Sequence, residues 1–413
     1  MRPPFLPLFT LLFAGLALLA SPLSAQVSVP QVGLPPVGPV VDPLLDQTDR
    51  LARDTLSEVD RLAEARLDRI DRLVRRNRRH IERDAAGEPA RRGEIVLLEA
   101  SSEQVAGAEA EGYRVIEQGE LASLGMTFTR LALPRGTDLD EAQRELPELL
   151  PGVTVAPDNL YLTSGTAMAP APQGGFARAR PASGATVGMI DGAPGAAVPV
   201  AEIRGFASGG GEASDHGSAI ASLLRGAGVS RVLAADVYGT DRAGGNAVAI
   251  AQALDWLVGA DVRVVTISLV GPDNPILARA IAAARRRGAV VVAAVGNDGP
   301  AAPPAYPASY EGVVAVTAVD RRERALIEAG RALHLDYAAP GADIYGMDRR
   351  GRSQRLRGTS YATPLVAARL AHAIGNGRDW RGALDSEAHD LGEPGPDETY
   401  GRGLVCRGCG ARD

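Results

Sequence analysis

Hydrophobic and polar positions divide the chain into stretches of different texture. Residues 5–20 form an apolar run behind Arg2, closed by Leu23-Ser24-Ala25. From Leu44 the chain is charged, and Leu56, Val59, Ala63, Leu67, Ile70, Val74 and Ile81 recur mostly three or four apart among Arg, Asp and Glu. That period predicts an amphipathic helix, with a seam too irregular for a coiled coil. "DAAGEPARRGE" (84–94) breaks it. The next stretch changes period. "EIVLLE", "YRVIEQ", "MTFTRLALP" and "GVTVAP" read as strands, and "SSEQVAGAEAEG" and "TDLDEAQREL" as helices. The order βαββαβ is the split βαβ arrangement. Further on, buried runs such as "ATVGMID", "VRVVTISLV", "AVVVAAVGN" and "VVAVTAVD" alternate with Ala-rich helical stretches. Continuous apolar strands separated by helices predict a parallel sheet covered on both faces.

These changes set the expected organisation. Residues 1–25 fit a secretory signal peptide, the competing reading being an uncleaved membrane anchor. Residues 26–43 read as a Pro/Gly-rich linker, 44–92 as the amphipathic helical segment, and 93–163 as a small α+β, ferredoxin-like domain. An exposed Ala/Pro/Gly-rich linker (164–183) leads to a doubly wound α/β domain (184–405), and 406–413 form a C-terminal tail.

The chain has 413 residues, 45% hydrophobic, enough for one large core and accessory segments. Net charge is −6, and every one of the 44 basic residues is Arg. No overall basic field recruits nucleic acid. The two cysteines, Cys406 and Cys409, stand in "CRGCG". Export permits a disulfide between them. A redox C-x-x-C lacks its βαβ context, and zinc lacks two further ligands.

In a doubly wound sheet, chemistry gathers at the carboxyl ends of the strands. Asp191 ends "TVGMID", His216 lies in "SDHGSAIASLL", Asn297 ends "VVVAAVGN", and Ser360 opens an Ala-rich helix. Each has an ordinary reading too: Ser360 as an N-cap, Asn297 as a turn residue, His216 as a structural histidine. Asp215 and Asp236 compete with Asp191 as the histidine's partner. His80, His334, His372 and His389 fall outside any such motif and read as structural. Pro364 clashes with the carbonyl four residues back, which predicts a helix start kept near Ser360.

The motifs "VGMIDG", "DHGSAIAS", "AAVGNDGP" and "GTSYATPLVAA", in that order, resemble the signatures of the subtilisin-like serine proteases, the subtilases. "ISLVGP", "YPASYEGVVAVTAVD", "LDYAAPGADI" and "YGRGLV" resemble further stretches of that family, and residues 93–163 its inhibitory propeptide more weakly. The resemblance implies a serine endopeptidase made as a zymogen, secreted or periplasmic, acting on peptide or protein substrates. Ser360 would be the nucleophile, His216 the base, Asp191 the orienting carboxylate and Asn297 the oxyanion donor. Ser268, Leu269, Val270, Gly271, Val295 and Gly296 would form the walls of the first substrate pocket. Asp298, just beyond, would favour a basic side chain at the cleaved position.

Partners would be the substrate and the chain's own propeptide, with no nucleic acid, and a membrane only through an uncleaved signal peptide. No cofactor is required. Calcium is common in the family, but no acidic loop marks a site for it. Some positions depart from the pattern. Ala219 stands where many subtilases have a second histidine, and Ser218 replaces the usual Thr. Gly192-Ala193 follow Asp191 where a hydroxyl residue then Gly is common, so a hydrogen bond to Asp191 is in question. That departure supports a rival reading, a family member that binds peptides without turning them over.

Overall fold

The computed structural model describes residues 41–163, 165–170 and 185–409, with side chains from residue 57 onward except those of 166–170. The chain falls into two units, Met1–Arg53 and Asp54–Asp413. Of the first only helix backbone is described, and everything below concerns the second. The signal-peptide segment and residues 26–40 of the first linker lie outside the described residues.

Helix α1 (Val41–Arg76) starts inside the expected linker and ends well short of residue 92. Asn77 closes it, its amide side chain donating to the Leu73 carbonyl at 2.9 Å. Strands β1 (Ile81–Arg83) and β2 (Pro89–Arg91) then form an antiparallel hairpin. Its turn is held by Asp84, whose Oδ1 accepts from the N–H of Ala86 and Glu88. The helical reading of 77–92 is thereby corrected. Ile81, counted above as a helical position, is fully buried on β1. The Asx turn at Asp84 gives the backbone a competing set of hydrogen bonds.

The small domain follows as expected: β3 (Glu94–Leu98), α2 (Ser102–Ala110), β4 (Arg114–Leu121), β5 (Met126–Ala132), α3 (Leu139–Leu149) and β6 (Thr154–Ala156). The strands lie in the order β4-β5-β3-β6, every neighbouring pair antiparallel. Ser101 forms a capping box with Gln104 ahead of α2, and the Asp138 carboxylate caps α3. After Glu94, strand β3 is apolar because both of its faces are covered. Ile95 and Leu97 meet Leu139 and Leu146 of α3 in one cluster. Val96 and Leu98 belong to the core of the large domain. Side-chain alternation along a strand makes this double use possible.

Next come β7 (Leu162–Thr163) and β8 (Thr166–Pro170). The second corrects the linker reading of 164–183, since its backbone pairs with a strand of the large domain; 171–183 lie outside the described residues. That domain contains β9 (Thr186–Asp191), β10 (Glu202–Gly205), α4 (Asp215–Gly226), β11 (Arg231–Asp236), α5 (Ala247–Gly259), β12 (Val264–Ile267) and β13 (Leu269–Val270). After these come α6 (Pro275–Arg286), β14 (Val290–Ala294), β15 (Val314–Val319), β16 (Tyr337–Pro340), β17 (Ala342–Met347), β18 (Ser353–Arg357), α7 (Thr359–Gly375) and α8 (Trp380–Glu387). Seven strands form one parallel sheet, β10-β11-β9-β12-β14-β15-β16. Helices α5 and α6 cover one face with the inner residues of β3, and α4 and α7 cover the other. Strand order reverses around β9, which opens a crevice at its carboxyl end.

Cys406 and Cys409 form a disulfide. Cys406 is buried in the core beside Val405, and its N–H donates to Glu387. It therefore belongs to the folded domain, and the boundary drawn at 405 falls too early.

Candidate active site

Asp191 is the last residue of β9 and is fully buried. His216 stands in the first turn of α4, where the Ser214 hydroxyl caps the helix by accepting from the Gly217 N–H at 3.1 Å. The histidine's Nδ1 lies 2.9 Å from both carboxylate oxygens of Asp191. An N–H on Nδ1 donated to the carboxylate leaves Nε2 as a lone pair, the form a general base needs. Nε2 is buried and, among the described residues, has no hydrogen-bond partner.

The competing acids are engaged elsewhere. Asp215 accepts from the Arg349 N–H, and Asp236 from the N–H groups of Tyr238, Gly239 and Gly211. The hydrogen bond in question beside Asp191 comes from the backbone, because the Gly192 N–H donates to Asp191 Oδ1 at 2.8 Å. A side chain at 192 has no room, since a Cβ there would fall 2.6 Å from Ser214 Cβ.

Ser360 is the second residue of α7 and fully buried, and its hydroxyl donates to the Ser268 carbonyl at 3.0 Å. Gly358, with φ +140°, caps α7 without a side chain. Asn297 does that work across the cleft, its Oδ1 accepting from the Thr359 N–H at 3.0 Å. The Thr359 hydroxyl also lies within hydrogen-bond distance of Asn297 Oδ1 (3.2 Å) and of the Gly296 carbonyl (3.1 Å). With its oxygen engaged this way, the Asn297 side chain is fixed through its acceptor, and its amide N–H groups are the donors it has left to offer.

Helix α7 starts at Thr359, next to Ser360, but runs from there through Pro364 to Gly375. The proline therefore does not stop a helix coming from upstream and does not set the start, which falls at the Gly358 cap instead. Proline has no N–H for the Ser360 carbonyl four residues back. The Ser268 hydroxyl donates to that carbonyl instead, at 2.9 Å. Tyr361, next in α7, sets its ring 5.5 Å from the His216 ring. The sequence reading missed Thr359 and Tyr361, although both stand inside "GTSYATP". It missed the pairing of Ser268 with Ser360 altogether, because it joins positions 92 residues apart.

Five of the expected pocket residues, Val270, Gly271, Val295, Gly296 and Asp298, line a cavity of about 300 Å3 next to the site. Ser268 and Leu269 lie elsewhere. Both are buried, Ser268 against Ser360 as above and Leu269 on β13. Strand β13 pairs antiparallel with β7, Leu269 opposite Thr163 and Val270 opposite Leu162. Strand β8 pairs antiparallel with β18, Thr166 opposite Arg357, three positions before Ser360. Between them Gly165 lies against Tyr361, where a Cβ would fall 2.7 Å from the ring. Strands β7 and β8 are thus each paired with a strand that leads toward Ser268 or Ser360. Among the described residues, no group of three or more His, Cys, Asp or Glu side chains is arranged to hold a metal ion. Among them too, no helix is long and apolar enough to cross a membrane.

The model of the subtilase family matches residues 204–403, a range that takes in His216, Asn297 and Ser360 and begins beyond Asp191. Subtilisin Savinase of Lederbergia lenta is 32% identical over 228 residues, covering 50% of this chain and 83% of that relative. Minor extracellular protease Epr of Bacillus subtilis (strain 168) is 32% identical over 169 residues, covering 39% of this chain and 26% of its own length. Among solved structures, fervidolysin of Fervidobacterium pennivorans, a keratinolytic enzyme related to subtilisin, aligns with a TM-score of 0.65 at 17% identity. That alignment covers 80% of this chain and 63% of fervidolysin, and is a likeness of fold.

Proposed function

From the membership of this chain in the subtilase family of serine proteases, we propose that it is an exported endopeptidase, made as a zymogen that cuts itself between residues 164 and 165. In the proposed reaction Ser360 Oγ attacks the carbonyl carbon of the scissile bond while its proton passes to His216 Nε2. Asp191 holds the imidazole in the required tautomer and stabilises the imidazolium. The carbonyl oxygen becomes an oxyanion and receives hydrogen bonds from the Asn297 amide and the Ser360 N–H at the start of α7. On collapse the C–N bond breaks and the leaving amine takes the proton from His216. Water then attacks the acyl-enzyme, giving its proton to His216, and the carboxylic acid departs as Ser360 recovers its hydrogen.

The contact between His216 Nδ1 and Asp191, 2.9 Å to each oxygen, carries this reading. The backbone hydrogen bond from Gly192 supports it against the non-catalytic alternative. The zymogen part draws support from β7 and β8, which flank the proposed bond and pair on either side of Ser360. A protein substrate would take the same course as an added strand on β13. Export draws its support from the apolar run behind Arg2. The whole-protein substrates, like the roles given to individual residues, belong to this proposal.

The test is labelling with a serine-directed fluorophosphonate, with sequencing of the new N-terminus. Wild type is expected to label and to yield a chain beginning at Gly165, whereas Ser360→Ala does neither. A wild type that stays unlabelled and uncut overturns the proposal.

A further inference from the structure

The least expected contact in the molecule is made by α1. Arg66, Arg69 and Ile70 line the cavity beside the site together with Val270 and Val295. Arg69 donates to Asp298 Oδ1 at 2.6 Å, and Arg66 Nε lies 3.5 Å from Asp298 Oδ2. The two arginines are three positions apart, so they share one face of the helix. Arg66 also donates to both carboxylate oxygens of Glu88 on the loop of the β1–β2 hairpin. Leu62 sits on Gly299, where a Cβ would fall 3.0 Å from Leu62 Cβ. Ile70 is 3% exposed. A charged pair, an apolar seat and a tie to the hairpin thus meet at one wall of the pocket.

We infer that residues 57–76 form a second inhibitory contact, an arginine latch on Asp298 that closes the substrate pocket apart from the strand in the cleft. The inference rests on the zymogen reading above, since α1 belongs to the part of the chain that processing would release. Two arginines on a carboxylate that lines the pocket occupy the group a basic substrate side chain would need. The latch also lies upstream of β7, so cutting between 164 and 165 leaves it in place until the whole segment departs. Such a contact is partly screened by salt, because Arg69 is half exposed while Asp298 is mostly covered.

The experiment compares full-length wild type, Arg69→Ala and Arg69→Glu. The readout is the lag before hydrolysis of a neutral fluorogenic peptide, in about 50 mM and about 500 mM NaCl. Arg69 is chosen because its described contact is with Asp298 alone. The alanine variant is expected to shorten the low-salt lag about two- to fivefold, the range for one partly exposed ion pair. The glutamate variant shortens it further, by repulsion from Asp298. High salt shortens the lag of wild type more than that of Arg69→Ala, which keeps only Arg66 on Asp298. Equal lags for all three proteins at both salt concentrations overturn the latch. A second arm measures hydrogen exchange across residues 57–76 in the Ser360→Ala chain, with and without Arg69→Glu. Faster exchange with the glutamate supports the latch, and unchanged exchange overturns it. This arm needs no catalysis, so a wild type that never gains activity counts against the proposed function alone.

Discussion

At the scale of the residue, the site depends on partners that hold the chemically active groups. Asn297 is aimed by Thr359, whose N–H and hydroxyl both approach its Oδ1. Removing the Thr359 hydroxyl leaves the backbone bond but loosens the amide's orientation. Thr359→Val is therefore expected to lower kcat about tenfold with KM nearly unchanged. That is less than the ~10²–10³-fold loss expected for Asn297→Ala, which removes the proposed donor itself. Thr359→Ser should restore most of the rate. Steady-state kinetics on one peptide check both, and a loss confined to KM would show that Thr359 does not act through the oxyanion. The placement of Asp191, His216 and Ser360 at element ends was legible in the sequence because each sits in a short motif, whereas Asn297 lies three residues beyond the end of β14 and not at the strand's end as read. Ser268 was not legible in its role. Its hydroxyl answers a carbonyl that Pro364 leaves without an N–H, and only folding brings the two together.

At the scale of the element, the small domain meets the large one through β3 and the first turn of α5. Asp158 lies at that junction, fully buried, accepting from the Val248 N–H and from Arg130. Burial raises its pKa to about 6, against the opposing pull of Arg130, the Val248 N–H and Arg91, while Glu94 pushes it further up. A carboxyl with a raised pKa binds its proton more tightly in the packed junction than when exposed. Its contribution to holding the two domains together is therefore complete below its ordinary value of 3.8, and is lost as pH rises through about 6. In the Ser360→Ala chain, hydrogen exchange at the start of α5, corrected for intrinsic rate, should quicken between about pH 4 and pH 7. Asp158→Asn should flatten that profile, and a wild-type profile already flat would contradict the assignment. The strands and helices of this domain were legible from periodicity. The β1–β2 hairpin was not, because Ile81 happens to continue the helical spacing of α1.

At the scale of the whole molecule, the doubly wound sheet followed from apolar runs separated by Ala-rich helices. The path of the chain between its two domains did not. Residues 164–183 have the composition of a linker, and nothing in Thr166–Pro170 announces a strand; the partner, β18, lies far along the chain. On the proposed self-processing, strands β7 and β8, paired with β13 and β18, would make the first peptide cut one to which the enzyme is already tethered. The event is then unimolecular, and its half-time should not change when the protein is diluted. Following the appearance of the shortened chain over about a hundredfold range of concentration checks this, with dilution-dependent slowing as the contrary result. A chain that matured in this proposed way would need no second enzyme to start it. On that proposal the moment of activation would be set by how long the released segment stays bound, and not by how many molecules are present.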